Sequence, residues 1–178
     1  IQGGRAILRY GLKEEGISFD DKSLTDYYRL YLCNYEKVLD KKSRNYDGVK
    51  ATLLQLQLLG VKLGVCTNKP EKHARELLKR LGLIHFFNNS FIGSDTIGIA
   101  KPDPRPLLEA IRRLEKKPED VYFVGDTNTD AEAAENAGVN FIFCEYGHGH
   151  NYKLAAGESA IFKIQTFTDL ISIYEDKP

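Results

Sequence analysis

The chain has 178 residues, 42% of them hydrophobic, which suits one ordinary domain or one domain with a small appendage. Lys and Arg number 25 and Asp and Glu number 25, so no global field draws the protein to nucleic acid or to an anionic membrane, and neither is expected as a partner. No apolar run reaches the roughly 18 residues of a membrane span and no signal-peptide pattern opens the chain, so the expected location is cytoplasmic.

Cys33, Cys66 and Cys144 are far apart and lack zinc-finger or C-x-x-C spacing, which fits reduced, packed thiols. The chain begins at Ile1 and contains no methionine. The expectation is that a start segment precedes Ile1, or that methionine-derived residues have dropped out of the sequence.

In chain order, Ile7, Leu8, Gly11 and Leu12 fall at helical spacing, with Gly16 closing the segment. Ser23-Leu24-Thr25-Asp26 reads as a capping box for a second helix, whose Leu24, Tyr27, Tyr28, Tyr31, Leu32, Tyr35 and Val38 form one apolar-aromatic stripe. The stripe is read as core packing. The charged run Asp40-Lys41-Lys42-Ser43-Arg44 reads as a connector, placing a boundary between residues 1–44 and 45–178.

Beyond it, helical and apolar segments alternate. Helices are expected over Gly48–Leu59, Glu71–Leu81, within Pro102–Glu115, and over Ala131–Ala137 and Phe167–Tyr174. Strands are expected at Val61–Cys66, Ser90–Gly93, Val121–Val124 and Phe141–Cys144. This alternation predicts an α/β fold whose mostly parallel sheet is covered on both faces. Sites in such folds gather at the carboxyl ends of strands, where helix N-termini also point.

Three polar clusters sit at such ends. Asp126 ends an apolar strand and Asp130 follows four residues later, two hard oxygen donors suited to Mg²⁺ unless Asp130 only caps the next helix. Lys101, in Ala100-Lys101-Pro102-Asp103-Pro104, has its backbone restricted by prolines and could neutralise carboxylates and grip a phosphoryl oxygen. Thr67 and Asn68 follow another strand and could donate to phosphate, though a Thr there can equally serve as a cap. Gly147-His148-Gly149-His150 reads as a loop. Absence of G-x-x-x-x-G-K-[ST] and of G-x-S-x-G excludes a P-loop hydrolase and the usual serine-hydrolase elbow.

Taken in order, Thr67-Asn68-Lys69-Pro70, Lys101-Pro102-Asp103-Pro104 and Gly125-Asp126-Thr127-Asn128-Thr129-Asp130 resemble the second, third and fourth motifs of haloacid dehalogenase-like hydrolases. The likeness is to the phosphoglycolate phosphatase group, and Tyr146-Gly147 after the last core strand adds to it.

The resemblance implies a Rossmann-like three-layer core over 45–178 and a small helical cap over 1–44. It implies a Mg²⁺-dependent phosphatase of a small phosphorylated metabolite, acting as a monomer or homodimer. Thr67 and Asn68 would bind phosphate, and Lys101 would fix phosphate and nucleophile. Asp126 would hold the metal, Asp130 would support it directly or through water, and Arg5 matches the region of the cap that meets substrate.

The family's nucleophile lies in a D-x-D-x-T motif on the first strand, and this chain has no Asp-x-Asp. Asp20-Asp21 is adjacent and is read as serving the turn before the capping box. The expected nucleophile therefore lies ahead of Ile1. A shortened phosphate- or partner-binding protein is the alternative. Within enzymes, nucleotidase, pyrophosphatase and sugar-phosphate mutase stay open.

Overall fold

A computed structural model describes residues 3–38, 41, 43–87, 90–147 and 159–175. The chain divides into two compact units, Ile1–Arg44 and Asn45–Pro178. No helix among the described residues is long and apolar enough to cross a membrane.

The first unit is a helical hairpin of α1 (Gly3–Glu14) and α2 (Asp21–Val38). The N-cap of α2 is Asp20 and not Ser23. The Asp20 carboxylate accepts from the Ser23 amide at 2.7 Å, while Ser23 Oγ accepts from the Asp20 amide at 2.9 Å. Ser23 is thus the third residue of the box, and the reading of the sequence placed it one turn too late. Of the α2 stripe only Leu24 is buried. Tyr28, Tyr31 and Tyr35 stack on one another along the helix, and Tyr27 and Val38 are exposed, so the stripe is a partly covered face and not a closed core. Asp40 and Lys42 of the connector lie outside the described residues.

The second unit runs α3 (Val49–Leu58), β1 (Val65–Cys66), α4 (Glu71–Arg80), a 3₁₀ turn (Ile84–Phe87), β2 (Phe91–Ile92) and α5 (Arg105–Arg113). It continues through a second 3₁₀ turn (Pro118–Asp120), β3 (Tyr122–Gly125), α6 (Asn128–Ala137), β4 (Asn140–Cys144), β5 (Phe162–Ile164) and α7 (Asp169–Glu175). Every observed strand pairing is parallel. β1 pairs with β2, and β3, β4 and β5 lie side by side in that order. No ladder joins the two sheets among the described residues.

Side chains of the larger sheet alternate between two apolar layers, as the pleat requires. Phe123, Phe141 and Phe143 pack with Leu107 and Ile111 of α5 and Ala131 and Ala134 of α6. Ile142, Cys144 and Ile164 face the other way, onto Leu170 and Ile173 of α7. Helices on both faces of a parallel sheet give the expected α/β layering.

Differences from the expected elements have local causes. The strand expected over Val61–Cys66 is paired only at Val65–Cys66, where the Val65 amide donates to Ser90 and the Thr67 amide to Ile92. Its first half runs alongside no described strand. β2 is likewise two residues long. α6 starts three residues early because Thr127 caps it, and it ends at Gly138, whose φ of 66° is a left-handed C-cap conformation.

Candidate active site

The expected site residues of the second unit meet at the carboxyl ends of β1 and β3. Lys101 arrives from the loop after β2 and is buried at 7% exposure. Its ammonium donates to Asp130 Oδ1 at 2.6 Å and to the Cys66 carbonyl at 2.9 Å, and it lies 4.9 Å from the centre of the Phe123 ring. One cation thus contacts the last residue of β1, a side chain of β3 and the first turn of α6.

Asp130 uses its second oxygen differently. Oδ2 accepts from the Thr127 hydroxyl at 2.6 Å, from the Thr127 amide at 3.1 Å and from the Asp126 amide at 3.3 Å. The Asp130 amide in turn donates to Thr127 Oγ1, completing a capping box. Asp130 therefore caps the helix and pairs with Lys101 at once. Of the two roles weighed for it in the sequence the helix cap is observed, and the remaining oxygen pairs with Lys101, so both oxygens are engaged within the protein.

Asp126 stands at the tip of β3, its amide tied to Asp130. Two glycines make room here. A β-carbon on Gly125 would enter the Asp130 side chain, and one on Gly147 would overlap the Asp126 carboxylate. Gly147 is held by its own amide bond to Cys144 O at 3.2 Å, in the turn that ends β4. His148, Gly149 and His150 lie outside the described residues.

Thr67 and Asn68 leave β1 in a tight turn. Thr67 Oγ1 accepts from the Lys69 amide at 3.2 Å, so this Thr shapes its own loop and does not cap a helix. The Asn68 carboxamide bonds the backbone of Lys101 at both ends: Oδ1 accepts from the Lys101 amide at 2.9 Å and Nδ2 donates to the Lys101 carbonyl at 2.9 Å. The Lys101-Pro102 peptide is cis. Asp103, in the same motif, folds onto Arg105, whose hydrogen bonds pull its carboxyl down to about 2.

Burial pushes the Cys66 thiol up to about 11, with Asp130 adding to the rise and Lys101 opposing it. Burial also pushes Cys144 up to about 11, with Asp126 and Asp130 reinforcing it. Tyr146 is raised by burial and by its bond to Cys144. The Asp130 carboxylate thus bears on thiols of both β1 and β4, as expected where strand ends converge. Tyr46 meets Tyr146 edge-on, with ring centroids 4.9 Å apart, beside this group.

Arg5 belongs to the first unit, where its guanidinium donates to Thr25 Oγ1 at 3.1 Å and is exposed. The sequence reading missed Gly125 and Gly147 as packing partners of the carboxylates, and the Cys66 carbonyl as an acceptor for Lys101. The glycines had a signal, a Gly immediately before Asp126 and another after the last core strand. A carbonyl acceptor has none.

Mg²⁺ needs few carboxylates and retains several waters. Among the described residues no group of three or more His, Cys, Asp or Glu side chains could hold a metal. The donor set here is the Asp126 carboxylate at a strand tip. It fits an ion that completes its shell with water and substrate oxygen, with Asp130 acting through Lys101 and the backbone.

The comparisons bear on the same residues. A family model for haloacid dehalogenase-like hydrolases matches residues 5–138. A phosphoglycolate phosphatase of Rhodospirillum rubrum is 35% identical over 158 residues, covering 89% of this chain and 65% of its own length, so the chain spans less than two thirds of that relative. One from Mannheimia succiniciproducens is 31% identical over 170 residues, covering 96% of this chain and 75% of its own. A crystal structure from Haemophilus somnus, described as a predicted phosphoglycolate phosphatase, superposes with a TM-score of 0.85 at 28% identity, covering 97% of this chain and 78% of that one. The match of 5–138 takes in all three motifs gathered at the strand ends, and on that ground the chain belongs to the haloacid dehalogenase-like hydrolase family.

Proposed function

We propose that the protein is a Mg²⁺-dependent, cytoplasmic phosphatase of a small phosphomonoester of the phosphoglycolate kind. The observation that carries this reading is the buried Lys101–Asp130 pair at the strand ends, flanked by Thr67 and by the Asp126 carboxylate. A cation held by protein groups beside a strand-tip carboxylate is arranged to stabilise charge on a transferring phosphoryl group, and needs no reorganisation when that charge develops. The names of the relatives support the substrate class.

In this reading the Thr67 hydroxyl and the Asn68 main-chain amide hold the phosphate, Lys101 neutralises its oxygens, and Asp130 keeps Lys101 in place. Asp126 would hold the metal, which when bound supplies charge neutralisation and orientation of the phosphoryl oxygens. Residues 1–44 would act as a helical cap, with Arg5 in the region that meets substrate. The nucleophile would be the first aspartate of the family's D-x-D-x-T motif, which this sequence does not carry. Its carboxylate oxygen would bond to phosphorus as the bond to the substrate alcohol breaks, the departing oxygen taking a proton from the second aspartate of that motif; water, losing a proton back to that aspartate, would then attack phosphorus and release inorganic phosphate and the free carboxylate.

Phosphate release from a panel of small phosphomonoesters, with Mg²⁺ and with EDTA, tests the proposal on the full-length protein. Expected is metal-dependent turnover that Asp126→Ala abolishes or weakens strongly. No metal-dependent release from any member of the panel would leave a phosphate- or partner-binding protein as the reading.

A further inference from the structure

Lys101 is fixed at both ends of its side chain. At the far end its ammonium is bound by Cys66 O and Asp130 Oδ1. At the near end both main-chain polar groups of Lys101 are matched by one side chain, the Asn68 carboxamide, through two bonds of 2.9 Å. Asn68 is itself anchored. The Thr67 amide before it continues the β1–β2 pairing through Ile92 O, and the Lys69 amide after it closes on Thr67 Oγ1.

A carboxamide is the group this position requires. It offers an acceptor and a donor on one rigid plane, whereas a carboxylate would set an oxygen against the Lys101 carbonyl and a hydroxyl would serve one bond at a time. With both ends turned to the Lys101 backbone, the Asn68 side chain is committed to the protein and not to a ligand. The lysine stem then spans two fixed points, which removes most of the rotamer freedom that makes lysine imprecise.

We infer that the Asn68 side chain positions Lys101 and is not itself a contact for phosphate. It carries the order of β1 across to a loop that no strand holds, so that the Lys101 ammonium is placed before substrate arrives. The inference rests on the reading above for Lys101's action on the phosphoryl group, but its first readout does not.

That readout is amine labelling. Acetic anhydride treatment of the full-length protein followed by mass spectrometry should show Lys101 modified roughly fivefold or more faster in Asn68→Ala than in the parent, with exposed Lys79 and Lys116 as internal references. Unchanged Lys101 labelling overturns the inference, whether or not the protein is a phosphatase. The second readout is a double-mutant cycle. Asn68→Ala should lower kcat roughly tenfold in the parent but about twofold or less in Lys101→Ala, where nothing is left to position. Equal losses in the two backgrounds, or a loss confined to KM, would mean direct phosphate contact and overturn it. Absence of turnover in the parent counts against the phosphatase reading alone and leaves labelling to decide this one. If circular dichroism shows Asn68→Ala unfolded, Asn68→Ser is read by the same criteria.

Discussion

Lys101 and Asp130 connect the two sheets of the second unit: an ammonium from the loop after β2 lies 2.6 Å from a carboxylate on the helix after β3, with side-chain exposures of 8% and 11%. Because the ammonium also bonds Cys66 of β1, it spans a junction that no strand ladder crosses among the described residues. The pair is both a charge device and a structural tie.

This relationship sets the first prediction. Removing either partner leaves the other charge buried and uncompensated. Asp130→Ala or Lys101→Ala should each destabilise the protein by about 3 kcal/mol, and the double variant should lose less than the sum. Urea unfolding of the three variants measures this. If the phosphatase reading holds, Lys101→Ala should also lower kcat roughly a hundredfold.

Gly147→Ala should weaken metal binding by crowding Asp126. The added methyl displaces the Asp126 side chain, its Cβ and its carboxylate alike. The Mg²⁺ concentration for half-maximal activity should rise roughly tenfold, as when a partner that orients a metal ligand is lost. Calorimetric titration with Mg²⁺ should show the same weakening, and the Tm should fall as well, because the added methyl meets the Asp126 Cβ and not only its carboxylate, so the turn itself must shift. An unaltered Mg²⁺ requirement would remove Asp126 from the metal site.

The thiols predict a pH dependence. Cys66 and Cys144 titrate at about 11 in the folded chain against an ordinary value of 9.0, so the folded state holds these protons more tightly than the unfolded state does. Their stabilising contribution is complete below about pH 9 and is lost as pH rises through about 11, because the unfolded chain releases protons first in that window. Unfolding free energy should therefore fall between pH 9 and pH 11, and less steeply in the Cys66→Ala, Cys144→Ala variant. At pH 8 a thiol reagent should modify exposed Cys33 promptly, and the other two only on unfolding.

The edge strand offers a packing test. Ile164 is buried at 1% against Ile142 and Leu170, whereas Phe162, two residues earlier on β5, is 41% exposed. Ile164→Ala should cost about 3 kcal/mol, and Phe162→Ala well under half of that. Equal losses would mean that β5 does not hold the register Ile142↔Phe162 and Cys144↔Ile164.

The alternation of helices and apolar runs was enough to place β3 and β4, because those strands are covered on both faces and read as continuous apolar stretches. β5 escaped notice for the opposite reason. Ile161, Phe162 and Lys163 are exposed and only Ile164 is buried, so no run or clear alternation marks it. Thr67, Lys101 and Asp126 were legible as site candidates from their places after strands and beside prolines. The double use of Asp130 was not, since spacing reveals the helix cap but not the ammonium arriving from 29 residues away. The pairing of Asn68 with Lys101 was not legible for the same reason: its partners are backbone atoms of a distant loop, and backbone atoms leave no mark in a sequence.

Gly125 and Gly147 carry a consequence for how this chain can vary. Each carboxylate of the cluster occupies space where a neighbouring residue has no β-carbon. Every single-base change of a glycine codon that alters the amino acid adds one. Neither position thus has a neutral first step, and drift around the cluster must proceed through the bulkier residues that surround it. A survey of all single-nucleotide variants should show these two codons as depleted as those of the charged residues they shelter, although neither glycine has a side chain to offer.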